Sequence, residues 1–278
     1  MDFYLSELDD FLLVALKEDI NGGDITTLSC VSEQAESVGY FIAKEPGIIC
    51  GLAIIKRLFL LLDESVILKP QITDGTLVKA GDIIADISGL SRSILIGERT
   101  ALNLLQHLSG IATKTSKAVA EVCGTKTKIL DTRKTTPGMR VLEKYAVRCG
   151  GGTNQRSNLS GGVLIKDNHI KASGGIANAV ALVQSRVAGL LKIEVETESL
   201  DQVKEALDAG ADIIMLDNMT AEMMKEAVKL INGRALTEAS GNMDGRNLNS
   251  VAELGVDFIS IGALTHSVDA LDISLKLS

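Results

Sequence analysis

The run Lys128-Ile129-Leu130-Asp131-Thr132-Arg133-Lys134 decides how the second half of the chain is read. A short apolar strand ends abruptly in charge, and a helical stretch at 137–148 follows. The same grammar returns at Val163–Lys166, Lys192–Glu196, Asp212–Leu216, Ala235–Glu238 and Phe258–Ile261, separated by helical stretches at 172–187, 199–209, 220–231 and 247–254. Strand alternating with helix predicts parallel βαβ units. The later strand centres fall about 21–23 residues apart, a spacing that fits a (β/α) barrel. Each predicted strand ends in polar residues: Thr132-Arg133-Lys134, Lys166-Asp167-Asn168, Glu194 and Glu196, Asp217-Asn218, Glu238-Ala239-Ser240-Gly241 and Gly262-Ala263. In such barrels the C-terminal strand ends face the active site, so six of them converge on one place.

Upstream the pattern differs. Leu5, Leu8, Leu12, Leu13 and Leu16 recur at helical spacing, predicting an amphipathic helix over 4–17 that stops at the turn Asn21-Gly22-Gly23-Asp24. Short apolar runs at Gly39–Ala43, Gly47–Cys50, Val66–Ile72 and Ile83–Ile87 predict strands, interrupted by a helix at Leu52–Leu62. Arg92–Val122 lacks Pro and reads as one long helix or two in line, with Leu102, Leu105, Leu108 and Ala112 as its buried stripe. The alternating Asp272–Leu277 predicts a half-buried strand that returns to the N-terminal sheet. The fold class expected is α/β: an N-terminal α+β sandwich-like domain over 1–108, joined by a C-terminal strand at 268–278, and an open (β/α) barrel over 109–267.

Charge is segregated. Between Asp131 and Ile170 seven basic residues face three acidic ones, a net +4 that leaves −12 for the rest of a chain totalling −8. A compact cationic island in an acidic protein suits a small anionic ligand, whereas nucleic acid needs a broad basic face. Aromatic residues are 3% of the chain and Trp is absent, which disfavours base stacking. No apolar run reaches the ~20 residues needed to span a bilayer, and the acidic start at Asp2 lacks the basic region of a signal peptide. A cytoplasmic protein with neither nucleic-acid nor membrane partners is expected. Cys30, Cys50, Cys123 and Cys149 are widely spaced, which reads as reduced thiols and not as a zinc site. Cys149, beside a glycine run, reads as a small buried spacer rather than a nucleophile.

Arg133, Arg156 and Lys166 form a candidate clamp for carboxylate or phosphate, and Lys134 joins them if it lies past the strand end. Arg140, Lys144 and Arg148 fall on the helix at 137–148 and read as solvated surface charges. Glu196 and Asp217, on neighbouring strands, can bind a ribose diol, hold Mg²⁺ through a phosphate ester or steady a developing positive charge. Ser240-Gly241-Asn242 and Gly262-Ala263 follow the last two strands, where backbone N–H groups often receive a phosphate. His107, His169 and His266 have no metal-ligand spacing; His169 reads as packing or support. Lys166 on a barrel strand also admits a Schiff-base aldolase, which borohydride trapping separates.

Asp131-Thr-Arg-Lys-Thr-Thr-Pro-Gly138, Glu143-Lys-Tyr-Ala-Val-Arg148, Gly150-Gly-Gly152, Leu164-Ile-Lys-Asp-Asn-His169, Glu194-Val-Glu196, Leu216-Asp-Asn218 and Gly262-Ala-Leu-Thr-His-Ser267 resemble the quinolinate phosphoribosyltransferases. Upstream, Lys17-Glu-Asp19 and Glu98-Arg-Thr-Ala-Leu-Asn103 match as well, so the resemblance spans the chain. It implies transfer of phosphoribose from phosphoribosyl pyrophosphate to quinolinate with loss of CO₂, giving nicotinate mononucleotide on the way to NAD, in a homodimer or larger homo-oligomer. By motif, Arg133, Arg156 and Lys166 would hold the quinolinate carboxylates, and Arg99 would enter from a second subunit. Lys134, Glu196 and Asp217 would meet phosphoribosyl pyrophosphate and its Mg²⁺, with no direct protein metal site. Ser240, Gly241, Asn242, Ile261, Gly262 and Ala263 would bind the 5′-phosphate. The chain departs from the pattern at Gln155, where the family has a substrate-facing His, and at Asn158, Gly161 and Asn242. Gln155 can still hydrogen-bond a carboxylate but cannot become cationic. A divergent, non-catalytic anion-binding relative is the other reading, against which Arg133, Lys134, Lys166, Glu196 and Asp217 stand together.

Overall fold

The computed structural model describes residues 5–187, 189 and 191–278. It divides into two compact units, one of residues 1–116, 137–151 and 267–278, the other of 117–136 and 152–266.

In the first unit a 3-10 turn, Leu5–Leu8, leads into α1 (Asp9–Ile20), and a short α2 (Ile25–Cys30) follows. The predicted helix 4–17 is therefore two pieces that run on to Ile20, and its first residue, Tyr4, lies outside the described residues. Six residues with no apolar period form α2, because the Asp24 carboxylate caps it by accepting the Thr27 N–H at 2.9 Å. Strands β1 (Glu36–Ala43) and β2 (Gly47–Ile48) precede α3 (Leu52–Leu62). Leu52, Ile54, Ile55, Leu58 and Phe59 form the buried face of α3. Its first amides, Gly51 and Leu52, are capped from a distance by Asp74 Oδ1 at 3.0 Å. β3 (Ile67–Pro70), β4 (Leu77–Val78) and β5 (Ile83–Leu90) complete the region, and α4 is one unbroken helix over Ser91–Glu121.

The principal sheet of this unit has the order β12-β1-β5-β3, with every pairing antiparallel; β12 (Ile273–Leu277) lies beside β1 in the register Phe41↔Leu275. β2 pairs with β4, which the sequence reading did not find. The helix α5 (Arg140–Cys149) also belongs here, not with the barrel residues among which 109–267 had placed it. It packs on α4: the His107 ring meets the fully buried Glu143 at 3.0 Å, and Gly150 lies against Ala112 and Thr115. Lys144 is 3% exposed, so the expected solvated charge is instead a buried one beside Glu143.

The second unit carries six parallel strands: β6 (Lys128–Leu130), β7 (Val163–Ile165), β8 (Ile193–Thr197), β9 (Ile213–Asp217), β10 (Leu236–Ser240) and β11 (Phe258–Ser260), in the order β6-β11-β10-β9-β8-β7. Among the described residues β6 and β7 are not paired, so the barrel is open there. A single parallel bridge between Leu130 and Thr153 covers part of the edge of β6. The predicted helix 172–187 is two helices, α6 (Asp167–Ser173) and α7 (Ile176–Arg186), because Gly174 and Gly175 take φ of +84° and +130°. α8 (Leu200–Asp208), α9 (Ala221–Ile231) and α10 (Leu248–Ala252) each begin at a side-chain cap, from Ser199, Thr220 and Asn247. A short α11 (Ala263–His266) follows β11. Val195, Ile214 and Ala239 are fully buried, while Glu196 and Asp217 at the strand ends are only partly covered. Period-two alternation therefore turns the apolar side chains of each strand to the helices and the acids to the barrel interior.

Candidate active site

Lys166 and Glu196 meet directly. β7 stops at Ile165, Lys166 stands at the cap of α6, and its Nζ lies 2.8 Å from Glu196 Oε2 near the end of β8. The ring of His169 accepts the Lys166 backbone N–H through Nδ1 at 3.0 Å, so His169 supports the turn that presents the lysine. Glu196 pairs in register with Met215 on β9, two residues before Asp217 and on the same face of that strand. Asp217 Oδ2 accepts from Asn218 Nδ2 at 2.8 Å. The two carboxylates thus occupy neighbouring strand ends.

Beyond β9 the chain turns on Asn218 at φ +54°. The Asn218 N–H donates to Ser240 O at 3.0 Å, and Asn242 Nδ2 donates to Asn218 Oδ1 at 3.3 Å. Gly241 sits inside this contact at φ +91°, and a Cβ there would fall 2.3 Å from Asn218 Oδ1. Ser240-Gly241-Asn242 is therefore a tightly seated loop. After β11, the N–H of Ile261 donates to Leu130 O at 3.0 Å, so its amide belongs to the barrel ladder and is not a phosphate donor. Gly262 and Ala263 are left as the phosphate candidates of that run. A Cβ on Gly262 would lie 3.0 Å from Lys134 Cδ, so glycine lets the Lys134 stem pass close to this turn. Thr265 Oγ1 fixes the same segment by donating to Lys134 O at 2.7 Å.

Asp131, fully buried, anchors the loop that carries Gln155 and Arg156. It accepts from Asn154 Nδ2 at 2.6 Å and from the Gln155 N–H at 2.8 Å. Gln155 Nε2 donates to Glu238 Oε1 at 3.1 Å, so this amide is engaged on the barrel wall. Arg156 Nη1 donates to Gly162 O at 3.1 Å, while its Nε is buried with no protein partner among the described residues. Burial and the charge of Arg133 press the Arg156 guanidinium below its ordinary pKa, and Glu194 opposes them.

Two acids singled out only as strand-end residues complete the site. Glu194 and Glu238 are 7% and 1% exposed and lie against each other inside the barrel. Burial, then the charge and hydrogen bond of Glu238, push Glu194 up to about 9, against the pull of Arg156 and Lys166. Burial also raises Glu238, while the neighbouring Ser260, Glu194 and Gln155, the last through its hydrogen bond, hold it back. Burial therefore favours the protonated form at both acids, and the pair holds a proton at neutral pH. The alternation Glu194-Val195-Glu196 was the available signal, since it places both acids on one face. Below them lies a cavity of about 340 Å³, lined by Gln155, Arg156, Glu194 and Glu238 together with Leu191, Ile213 and Phe258 from the starts of the strands. Its lining comes from the second unit alone.

Arg99, exposed on α4, belongs to the first unit. The remaining cations and acids share the second unit. Fold and site define an open α/β barrel whose strand ends present a mixed cationic and carboxylate pocket for anionic ligands. The chain matches the models of the quinolinate phosphoribosyl transferase N-terminal domain over residues 24–109 and C-terminal domain over 111–276, and it belongs to that family. It is 46% identical to a probable nicotinate-nucleotide pyrophosphorylase [carboxylating] of Bacillus subtilis, over 94% of this chain and 90% of that one. It is 43% identical to the chloroplastic nicotinate-nucleotide pyrophosphorylase of Arabidopsis thaliana, over 98% and 83%. Among solved structures, NadC from Streptococcus pyogenes superposes with a TM-score of 0.94 at 42% identity, covering 100% of this chain and 99% of the other.

Proposed function

We propose that the chain is a decarboxylating quinolinate phosphoribosyltransferase, a pentosyltransferase of NAD biosynthesis that forms nicotinate mononucleotide, pyrophosphate and CO₂. The observation that carries this reading is the Lys166–Glu196 pair at 2.8 Å, set among Arg156, Asp217 and the Gly241 and Gly262 turns of one parallel sheet. A substrate with two carboxylates and another with a pyrophosphate need several fixed cations in a partly desolvated pocket. Arg133, Arg156 and Lys166 take the quinolinate carboxylates, with Arg156 Nε as a buried donor suited to one of them. Lys134 faces the pyrophosphate, and the turns at Ser240–Asn242 and Gly262-Ala263 receive the 5′-phosphate.

As the pyridine nitrogen bonds to C1 of the ribose and the C1–O bond to pyrophosphate breaks, positive charge gathers at C1. Glu196 and Asp217 are the carboxylates that stabilise it. As CO₂ leaves, the electron pair of the C2–carboxylate bond stays on C2 as an ylide carbanion that the positive charge of the adjacent alkylated nitrogen stabilises, and C2 then takes up one proton. Mg²⁺ would be held mainly by the pyrophosphate, with Glu196 and Asp217 nearby as hard oxygen groups, and would supply neutralisation of leaving-group charge. Arg99, remote from any barrel strand end in sequence, completes the pocket of a neighbouring subunit, so a homodimer is the smallest active form. A Schiff-base aldolase is disfavoured by the same pair, because the Lys166 Nζ that would attack a carbonyl is engaged by Glu196 at 2.8 Å. The test is quinolinate-dependent release of pyrophosphate from phosphoribosyl pyrophosphate with Mg²⁺. Release by the wild type that Lys166→Ala abolishes supports the reading; an inactive wild type that still binds both substrates leaves a non-catalytic relative.

A further inference from the structure

Cys50 and Cys149 are 99 positions apart in sequence, yet the first unit brings their sulfurs and a carboxylate oxygen of Asp74 within 4.8 Å of one another. Each arm is held by its own element. Cys50 follows β2, is fully buried, and is fixed by Ser109, whose Oγ accepts its N–H at 3.0 Å. Cys149 is the last residue of α5. The next residue, Gly150, lies so close to α4 that an added Cβ would be 2.3 Å from Ala112 O. Asp74 is oriented by three donors: the Gly51 and Leu52 amides on Oδ1, and the Tyr145 hydroxyl on Oδ2 at 2.7 Å. Cys149 and Asp74 are half-buried, so solvent reaches the cluster from their side.

From this geometry we propose that Cys50, Cys149 and Asp74 form a binding site for one thiophilic divalent cation of the zinc class, with water as fourth ligand. Zinc holds thiolates at ~2.3 Å and carboxylate oxygens at ~2.0–2.2 Å, so tetrahedral sulfurs stand roughly 3.8 Å apart. The three atoms need only contract by a fraction of that distance. Two sulfurs select a soft ion over Mg²⁺ or Ca²⁺. Tyr145 plays the part of an outer hydrogen-bond donor that fixes the ligating carboxylate. Arg148, 5.7 Å from the Tyr145 ring, supplies positive charge beside a site of two thiolates, one carboxylate and a dication. A disulfide would use the two sulfurs but has no use for a third, separately oriented ligand. Binding replaces two S–H bonds by two metal–sulfur bonds and releases two protons to solvent. The ion ties together the end of β2, the 71–76 loop and the end of α5, all in the first unit.

The test is titration of the reduced, metal-free full chain with Co²⁺, read by thiolate-to-cobalt charge-transfer absorption and by proton release. The expected result is one Co²⁺ per chain, displaced by Zn²⁺, with about two protons released. Cys149→Ser should lose most of the band. Tyr145→Phe should keep it while binding on the order of tenfold more weakly. Cys30→Ser and Cys123→Ser should match the wild type. Because Cys50 is fully buried, Cys149→Ser, whose circular dichroism can be checked against the wild type, is the deciding variant. Absence of a thiolate band in the reduced wild type overturns the proposal, as does an unchanged affinity in Cys149→Ser. A Cys50–Cys149 disulfide in the air-oxidised protein together with no Co²⁺ uptake after reduction overturns it equally.

Discussion

The Glu194–Glu238 pair holds a proton at pH 7 because the two acids are buried together, and this makes stability depend on pH. The folded pKa of Glu194 is raised from 4.5 to about 9, so the unfolded chain loses that proton at lower pH than the folded one. The group's stabilising contribution is complete below about pH 4.5 and is lost as pH rises toward 9, by a few kcal/mol at most since the pair shares its proton. Glu194→Gln cannot ionise, so its urea midpoint should fall less than that of the wild type between pH 5 and 9. Parallel midpoints in the two proteins would show that Glu194 ionises normally. Gln155 lies on the other side of the same pair. Gln155→Ala should raise the KM for quinolinate several-fold, corresponding to about 1 kcal/mol, with a smaller fall in kcat. Gln155→His should be tolerated and should tighten quinolinate binding as pH falls toward the imidazole pKa near 6.5. A Gln155→Ala enzyme with wild-type constants removes this residue from the site.

At the scale of elements, the turn after β10 depends on one glycine. Gly241→Ala would place a Cβ 2.3 Å from Asn218 Oδ1 at φ +91°, whereas nothing lies within 4 Å of a Cβ on Gly245. Gly241→Ala should cost about 1–3 kcal/mol and raise the KM for phosphoribosyl pyrophosphate, while Gly245→Ala should change neither measurably. Thermal melts and initial rates on the two variants decide this. Where a periodic signal was strong, as in Leu52–Leu62 and the strand–helix alternation after Lys126, the sequence was sufficient to read the element. Six-residue α2 and two-residue β4 carry no period, and a cap and a pairing partner decide them. Lys144 looked like surface charge because its helix was taken alone; the packing of α5 on α4 buries it. The strand ends were legible as chemistry, but depth was not. Glu194 and Glu196 share a face, yet one is buried inside the barrel and the other pairs with Lys166 at the rim. The Cys50–Cys149 approach was illegible, since nothing local relates residues that far apart.

At the scale of the whole molecule, the proposal for Arg99 requires two chains. Arg99→Ala and Lys166→Ala subunits should each be inactive alone. Mixing them under subunit exchange should restore part of the activity, because a hybrid dimer holds one site with both residues intact. No recovery after exchange has been verified by mass would argue for a pocket complete within one chain. The central claim is the coupled chemistry itself, in which transfer to the ring nitrogen makes the adjacent carboxylate labile. Its most direct measurement uses quinolinate labelled with ¹³C in the 2-carboxylate, incubated with the protein, phosphoribosyl pyrophosphate and Mg²⁺. The account predicts labelled CO₂, nicotinate mononucleotide and pyrophosphate in equal amounts, and none of them from Lys166→Ala. Pyrophosphate without labelled CO₂, or binding of both substrates with no product, would contradict it.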